Sequence, residues 1–77
     1  MDLDTFVSHF AQVFVATPAT EFSSETKFRD LDEWDSLLAL SVIAMADEEY
    51  GVELSGDDIR QSESVADLFA KIQAKQK

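Results

Sequence analysis

The feature that most constrains the fold of this chain is the spacing of its apolar residues, which recur every three or four positions rather than every two. Near the N-terminus this spacing holds for Leu3, Phe6, Val7, Phe10, Val13 and Phe14. Such a stripe predicts an amphipathic helix, which we place over residues 2–16 because Pro18 disfavours helical geometry at Thr17. No segment alternates as a half-buried strand would, so the sequence predicts an all-α fold.

Start and stop signals predict three further helices. The second runs from Ser36 to Tyr50 and is followed by Gly51, the residue that a left-handed C-cap favours. Ser55 and Ser64 are each followed three residues later by an aspartate, which resembles a capping box. We therefore place a short third helix after Ser55 and a fourth after Ser64, with an apolar face made of Val65, Leu68, Phe69 and Ile72.

The connection between the first two helices, residues 17–35, is long for a compact domain. It contains four large apolar residues that we expect to pack on the core, namely Phe22, Phe28, Leu31 and Trp34. The predicted architecture is one domain over residues 1–77. It is a small four-helix bundle with a long loop between helices one and two and a short third helix.

The charge of the chain narrows the classes of partner. There are 16 Asp and Glu against 6 Lys and Arg, and the net charge is −10. Nucleic acids and anionic membranes select cationic surfaces, so we expect neither as a partner and instead expect proteins with basic surfaces. No apolar run could span a bilayer, and the acidic start MDLD lacks the basic residues of a signal peptide. The expectation is a monomer in the cytoplasm.

Few residues are suited to catalysis or to metal binding. There is no cysteine, which excludes a disulfide and a thiolate nucleophile. A Ser-His-Asp triad would have to use His9, the only histidine, which lies in the first helix. An EF-hand loop starting at Asp30 would need glycine and glutamate where Asp35 and Ser41 stand. We therefore expect neither an enzyme nor a metal site.

The second predicted helix is apolar on nearly all sides, which indicates either full burial or a partner. On a helical wheel one side is a core stripe of Ala39, Val42, Ile43, Ala46 and Tyr50. The opposite side is a candidate docking surface of Leu37, Leu40, Ser41, Ala44, Asp47 and Glu48. Leu38 lies between the two, and we include it in the docking surface because we expect Leu37 and Leu38 to be partly exposed. The alternative is that the long loop folds over this side.

Ser36, at the start of this helix, has two interpretations. A serine there commonly accepts a hydrogen bond from a free backbone N–H, although Asp35 could do the same. A helix N-terminus is also a favourable place for a phosphate group, which would meet unpaired N–H groups and the positive end of the helix dipole.

Asp35-Ser36-Leu37, with FRDL before it and DEEYGVEL after it, resembles the phosphopantetheine attachment site of acyl carrier proteins, specifically of stand-alone members. The resemblance covers essentially the whole chain. It implies that a phosphopantetheinyl transferase moves 4′-phosphopantetheine from coenzyme A onto Ser36, and that the thiol of this group carries an acyl or aminoacyl cargo as a thioester. It also implies loading and transferring enzymes with basic docking surfaces.

Some positions depart from the pattern of this family. Leu38 and Ser41 stand where many members that serve fatty acid synthesis have acids, and Ser62 replaces an often apolar residue near the mouth of the acyl pocket. We therefore expect a specialised lipid or secondary-metabolite pathway. The alternative from another class is an acidic helical interaction module that is never modified and that uses the same side of the second helix.

Overall fold

The computed structural model describes residues 2–76 and consists of four α-helices joined by loops. The helices are α1 (Leu3–Gln12), α2 (Ser36–Tyr50), α3 (Gly56–Arg60) and α4 (Val65–Lys75). Residues 2–76 contain no strand. The predicted all-α fold with a short third helix is confirmed, and α2 has the bounds that its start and stop signals predicted.

Three predicted helix ends are confirmed, namely the C-terminus of α2 and the starts of α3 and α4. Gly51 has a φ of 63° and ends α2 in the left-handed conformation that glycine adopts without strain. The Ser55 hydroxyl accepts a hydrogen bond from the Asp58 N–H at 3.1 Å, and the Asp58 carboxylate accepts one from the Ser55 N–H at 2.9 Å. Ser64 and Asp67 form the same reciprocal pair at the start of α4.

Helix α1 is shorter than its apolar spacing predicted, because it ends at Gln12 rather than near residue 16. The N–H groups that would have continued the helix donate to the Glu33 carboxylate instead, at 2.9 Å from Val15, 3.0 Å from Ala16 and 2.8 Å from Thr17. The Thr17 hydroxyl adds a fourth hydrogen bond at 2.9 Å. A carboxylate distant in sequence thus replaces the last turn of the helix.

The long connection is ordered by its apolar residues and by α4. Phe22 and Phe28 are buried, and Leu31 and Trp34 pack partly buried against the core, as predicted. Two short 3₁₀ turns, Ala19–Glu21 and Phe28–Asp30, interrupt it. The connection also accepts two hydrogen bonds from the start of α4, from the Val65 N–H to the Thr26 carbonyl and from the Ala66 N–H to the Ser24 carbonyl.

Aromatic rings join the connection to α1 inside the core. The Phe10 ring lies edge-on to the rings of Phe14, Phe22 and Phe28, with centroid distances of 5.4, 6.0 and 5.3 Å. The Phe28 ring is in turn 5.0 Å from that of Trp34. Because such edge-to-face pairs add to the gain from burial, this chain of rings fixes the position of the loop just before α2.

The buried side of α2 differs from the predicted core stripe. Its buried residues are Leu38, Val42, Met45 and Ala46, whereas Ala39, Ile43 and Tyr50 are only partly buried. Leu38 is 9% exposed, so the prediction that it is exposed and belongs to the docking surface is wrong. Since α2 is apolar on nearly all sides, packing against the rest of the core sets its rotation, and the wheel could not.

Candidate functional site

Ser36 is the first residue of α2, and Asp35 provides the cap of that helix. The Asp35 Oδ1 accepts a hydrogen bond from the Leu38 N–H at 2.8 Å, and the Asp35 carbonyl accepts one from the Ala39 N–H at 3.1 Å. The Ser36 side chain is exposed, and its hydroxyl forms no hydrogen bond with any residue in the range 2–76. The capping role that a serine commonly has here is therefore already filled.

The backbone at the start of α2 favours an anion near Ser36. Within the described residues, the N–H groups of Ser36 and Leu37 donate no hydrogen bond. The first turn of α2 contains no acidic residue, in contrast to those of α3 and α4. Free N–H groups and the positive end of the helix dipole together stabilise negative charge at such a place.

A surface cleft of about 270 Å³ lies beside Ser36, between the starts of α2 and α3. Its apolar lining comes from Trp34, Ala39 and Ile59, and two cationic side chains, Arg29 and Arg60, also line it. Of the acidic residues, Asp35 lines the cleft. The cleft therefore offers an apolar surface and guanidinium groups next to an exposed hydroxyl.

The two arginines are held differently. Arg60 forms an ion pair with Asp57, and its Nη1 lies 3.4 Å from the position that a β-carbon on Gly56 would take. Its guanidinium thus lies against the start of α3. Arg29 is exposed and forms no ion pair with any carboxylate among residues 2–76.

Each of the three residues before Ser36 is anchored to a different part of the molecule. Glu33 binds the end of α1 through four hydrogen bonds. Loss of hydration raises the pKa of Glu33, but these hydrogen bonds outweigh it and hold the pKa below its ordinary value. Trp34 packs on Phe14 and Phe28, and Asp35 caps α2. Ser36 is therefore presented from a fixed segment.

The predicted docking surface is largely open to solvent. Leu37 and Leu40 are 70% and 62% exposed, and Ala44, Asp47 and Glu48 are exposed as well. The long connection does not cover them, so the alternative in which it folds over this side is wrong. We call the surface formed by Leu37, Leu40, Ser41, Ala44, Asp47 and Glu48 the outer face of α2.

One edge of the outer face borders α1. Ser41, which is partly buried, lines a groove with Ala44 and Glu48 on one side and residues of α1 that include His9 on the other. His9 Nδ1 is hydrogen-bonded to the Tyr50 hydroxyl at 2.9 Å. Because His9 lines this groove and Ser36 lines another cleft, the structure does not bring the two together.

Three residues near Ser36 were missed from the sequence. Nothing local marks Glu33 as a partner of α1. Arg29 and Arg60 could have been noticed, since they are two of only six Lys and Arg.

Elsewhere in residues 2–76 no cluster of three or more acidic or histidine side chains is arranged for a metal ion. No helix of that part of the chain has the length and hydrophobicity needed to cross a bilayer.

Comparison with known proteins identifies the family. Residues 5–72 match the family model described as the phosphopantetheine attachment site. Searches of curated proteins and of solved structures gave no match. The matched region contains α2 and α3 in full and most of α1 and α4, and it includes Ser36 and the residues that line its cleft. The chain therefore belongs to the phosphopantetheine attachment family, whose members are carrier proteins, not enzymes, and bind 4′-phosphopantetheine covalently, consistent with an acyl carrier protein.

Proposed function

We propose that Ser36 is the residue that takes the phosphopantetheine group, and that the thiol of this group carries an acyl or aminoacyl cargo as a thioester. One observation carries this proposal. Ser36 is an exposed serine at a helix start whose hydroxyl is free, because Asp35 supplies the cap. The alternative of an unmodified interaction module gives no reason for an available hydroxyl at this position.

The surroundings of Ser36 fit the chemistry of the group. Its phosphate would lie near the free N–H groups of Ser36 and Leu37 and near the cations of the cleft. The apolar lining of Trp34, Ala39 and Ile59 suits the aliphatic part of the pantetheine. Because the chain has no cysteine, the only thiol available for a thioester is the one that this group supplies.

The attachment reaction balances with coenzyme A as the donor. The Ser36 Oγ attacks the phosphorus next to the pantetheine, so that an Oγ–P bond forms and the bond from this phosphorus to the bridging oxygen of the diphosphate breaks. Adenosine bisphosphate leaves, and the hydroxyl proton passes to a base of the transferase. The part of this chain is to present an exposed Oγ from a fixed segment, which limits the entropy lost on docking.

Mass spectrometry tests the assignment of Ser36. Incubated with coenzyme A, magnesium and a broad-specificity phosphopantetheinyl transferase, wild-type protein should gain the mass of one phosphopantetheine. Ser36→Ala should gain none. Ser64→Ala, which changes a serine at another helix start, is the matched control and should be modified like wild type, since its hydroxyl serves as a cap.

Two results would contradict the assignment. Modification of Ser36→Ala would place the group on another hydroxyl. A wild-type protein that stays unmodified with several transferases would favour the interaction module. Circular dichroism of each variant separates a loss of the attachment residue from a loss of the fold.

We further propose that the phosphopantetheinyl transferase, like the loading and transferring enzymes, binds the outer face of α2. Leu37 and Leu40 are large apolar side chains exposed on a helix, and Asp47 and Glu48 add negative charge at its C-terminal end. The partner surface that complements this arrangement is an apolar patch flanked by basic residues. The outer face has an apolar centre. This favours partner enzymes of a specialised lipid or secondary-metabolite pathway over partners that bind acidic residues along the whole helix.

Transferase kinetics test the outer face. Leu40→Gln should raise KM for the carrier by about tenfold, because apolar contacts at the centre of an interface carry much of its affinity. Val15→Gln is a matched control, since Val15 is 93% exposed and lies outside the outer face. If the two substitutions change KM equally, the transferase does not bind the outer face.

A further inference from the structure

Positive charge is concentrated beside Ser36 in a chain that is otherwise strongly acidic. Only six of its residues are Lys or Arg, and two of them, Arg29 and Arg60, line the cleft that contains Ser36. They come from separate elements, the 3₁₀ turn Phe28–Asp30 and the last residue of α3. The fold thus places two arginines that are distant in sequence along the same cleft.

Stability of the fold does not explain the position of either arginine. Arg60 pairs with Asp57, but both side chains are largely exposed, at 70% and 73%, and exposed pairs contribute little to stability. Arg29 is exposed and has no ion pair among the described residues. It also borders a second cleft, shared with Lys27, Asp30 and Glu63. Arg29 is therefore available to a ligand, and the exposed pair of Arg60 with Asp57 engages one guanidinium nitrogen, Nη2.

The ligand chemistry that fits two guanidinium groups is a phosphate. A guanidinium offers parallel N–H donors that match the geometry of phosphate oxygens. The N–H groups of Ser36 and Leu37 add donors from the start of α2. Asp35 also lines the cleft and Asp57 pairs with Arg60, so an anion here would meet two arginines whose charge nearby acids offset only in part.

We propose that Arg29 and Arg60 bind the phosphodiester that links Ser36 to the pantetheine, and so hold the first part of the attached group in the cleft. This rests on the proposed function of Ser36. The part of the pantetheine that follows the phosphodiester then lies against Trp34, Ala39 and Ile59 and does not extend directly into solvent. The two arginines are positioning residues for the attached group, and partners meet it from a defined direction.

Phosphorus NMR of the modified full-length protein tests this proposal without any measurement of activity. Neutralising both arginines, in the double variant Arg29→Gln/Arg60→Gln, should shift the phosphodiester resonance and narrow it, because the group becomes more mobile. Added salt should move the wild-type resonance toward that of the double variant, since it screens the contact, and should change the double variant less. Arg60→Lys should retain part of the wild-type shift, because it keeps the charge and loses the paired donors.

The matched control is Lys71→Gln, which removes the same charge from a residue that lines a different cleft and is hydrogen-bonded to Gln61. It should leave the phosphorus resonance unchanged. A double variant whose resonance equals that of wild type overturns the proposal for the arginines and leaves Ser36 as the attachment residue. The proposal is also overturned if the double variant is modified more slowly than wild type but shows the wild-type phosphorus resonance. The arginines would then act on coenzyme A or on the transferase and not on the attached group. A wild-type protein that gains no phosphopantetheine overturns both proposals.

Discussion

Three helices of this protein have a serine at or beside their start, and among residues 2–76 the hydroxyl of only one of these serines has no hydrogen-bond partner. Ser55 and Ser64 are N-caps, each joined by two reciprocal hydrogen bonds to the aspartate three residues later. At the start of α2 the cap is Asp35, and Ser36 lies one position further along, within the helix. The third residue after the cap is the buried Leu38, where the other two helices have an aspartate.

The difference shows how a helix start can be stabilised without using its serine. In α3 and α4 the serine and aspartate side chains accept hydrogen bonds from each other's backbone N–H groups, so each serine hydroxyl already serves as a cap. In α2 the stability of the first turn comes from the Asp35 carboxylate and from Leu38 in the core. The hydroxyl and two backbone N–H groups therefore remain free for a ligand.

The largest effect that breaks this comparison should come from Leu38→Asp, which gives α2 the aspartate that α3 and α4 have at the same position. Although the new side chain could cap the backbone, it would put a charge at a site that is 9% exposed. We expect a loss of about 3 kcal/mol or more in the free energy of unfolding, measured by urea denaturation. Leu37→Asp is the control and should change it by no more than about 0.5 kcal/mol, since Leu37 is 70% exposed. If Leu38→Asp and Leu37→Asp lower the free energy of unfolding equally, Leu38 is exposed in solution.

A smaller effect should distinguish the two adjacent residues at the start of α2. Asp35→Ala removes the cap and should lower the free energy of unfolding by about 1 kcal/mol. Ser36→Ala should change it by less than about 0.5 kcal/mol, because the hydroxyl has no partner in the described structure. Thermal melts of the two variants beside wild type give the comparison. If Ser36→Ala proves the more damaging, the serine is a cap and the contrast with Ser55 and Ser64 disappears.

A third effect, which is confined to acid pH, concerns the capping box of α3. A hydrogen bond from Lys75, followed by one from the Ser55 backbone, lowers the pKa of Asp58 from 3.8 to about 2. Because the pKa is lower in the folded state, the stabilisation is complete above pH 3.8 and is lost as the pH falls toward about 2. Asp58→Asn should flatten the fall in stability over this range in urea denaturation. Asp67→Asn makes the same change in the capping box of α4. It should leave unchanged the dependence of stability on pH that Asp58 causes. An unchanged slope in Asp58→Asn would show that the Lys75 contact does not persist in solution.

Much of the fold could be predicted because its signals are local. The bounds of α2 follow from Asp35 and Gly51, and both capping boxes follow from a serine and an aspartate three residues apart. The rotation of α2 could not be predicted, because Leu38 and Leu40 look alike in sequence and packing buries only one of them. The end of α1 was wrong for a related reason, since it depends on Glu33, which is far away along the chain.

The candidate site was predicted to the same extent. Local sequence placed Ser36 at the start of α2 but left open whether Asp35 or Ser36 is the cap. It predicted the exposure of Leu37 correctly and that of Leu38 wrongly. The convergence of Arg29 and Arg60 on the cleft of Ser36 depends on how the 3₁₀ turn and α3 pack against α2. No spacing in the sequence predicts that these residues share one cleft.

The hydrogen bonds of Glu33 to the end of α1 also bear on which changes of loop length the protein can tolerate. They close the chain between Thr17 and Glu33 into a loop whose ends are joined, and only Trp34 and Asp35 separate that junction from Ser36. A residue inserted at the exposed turn Ala19–Glu21 would enlarge the closed loop at a small entropic cost without moving its ends. Sequence length could therefore vary in this loop while the attachment residue keeps its place, whereas an insertion between Glu33 and Ser36 would displace it directly.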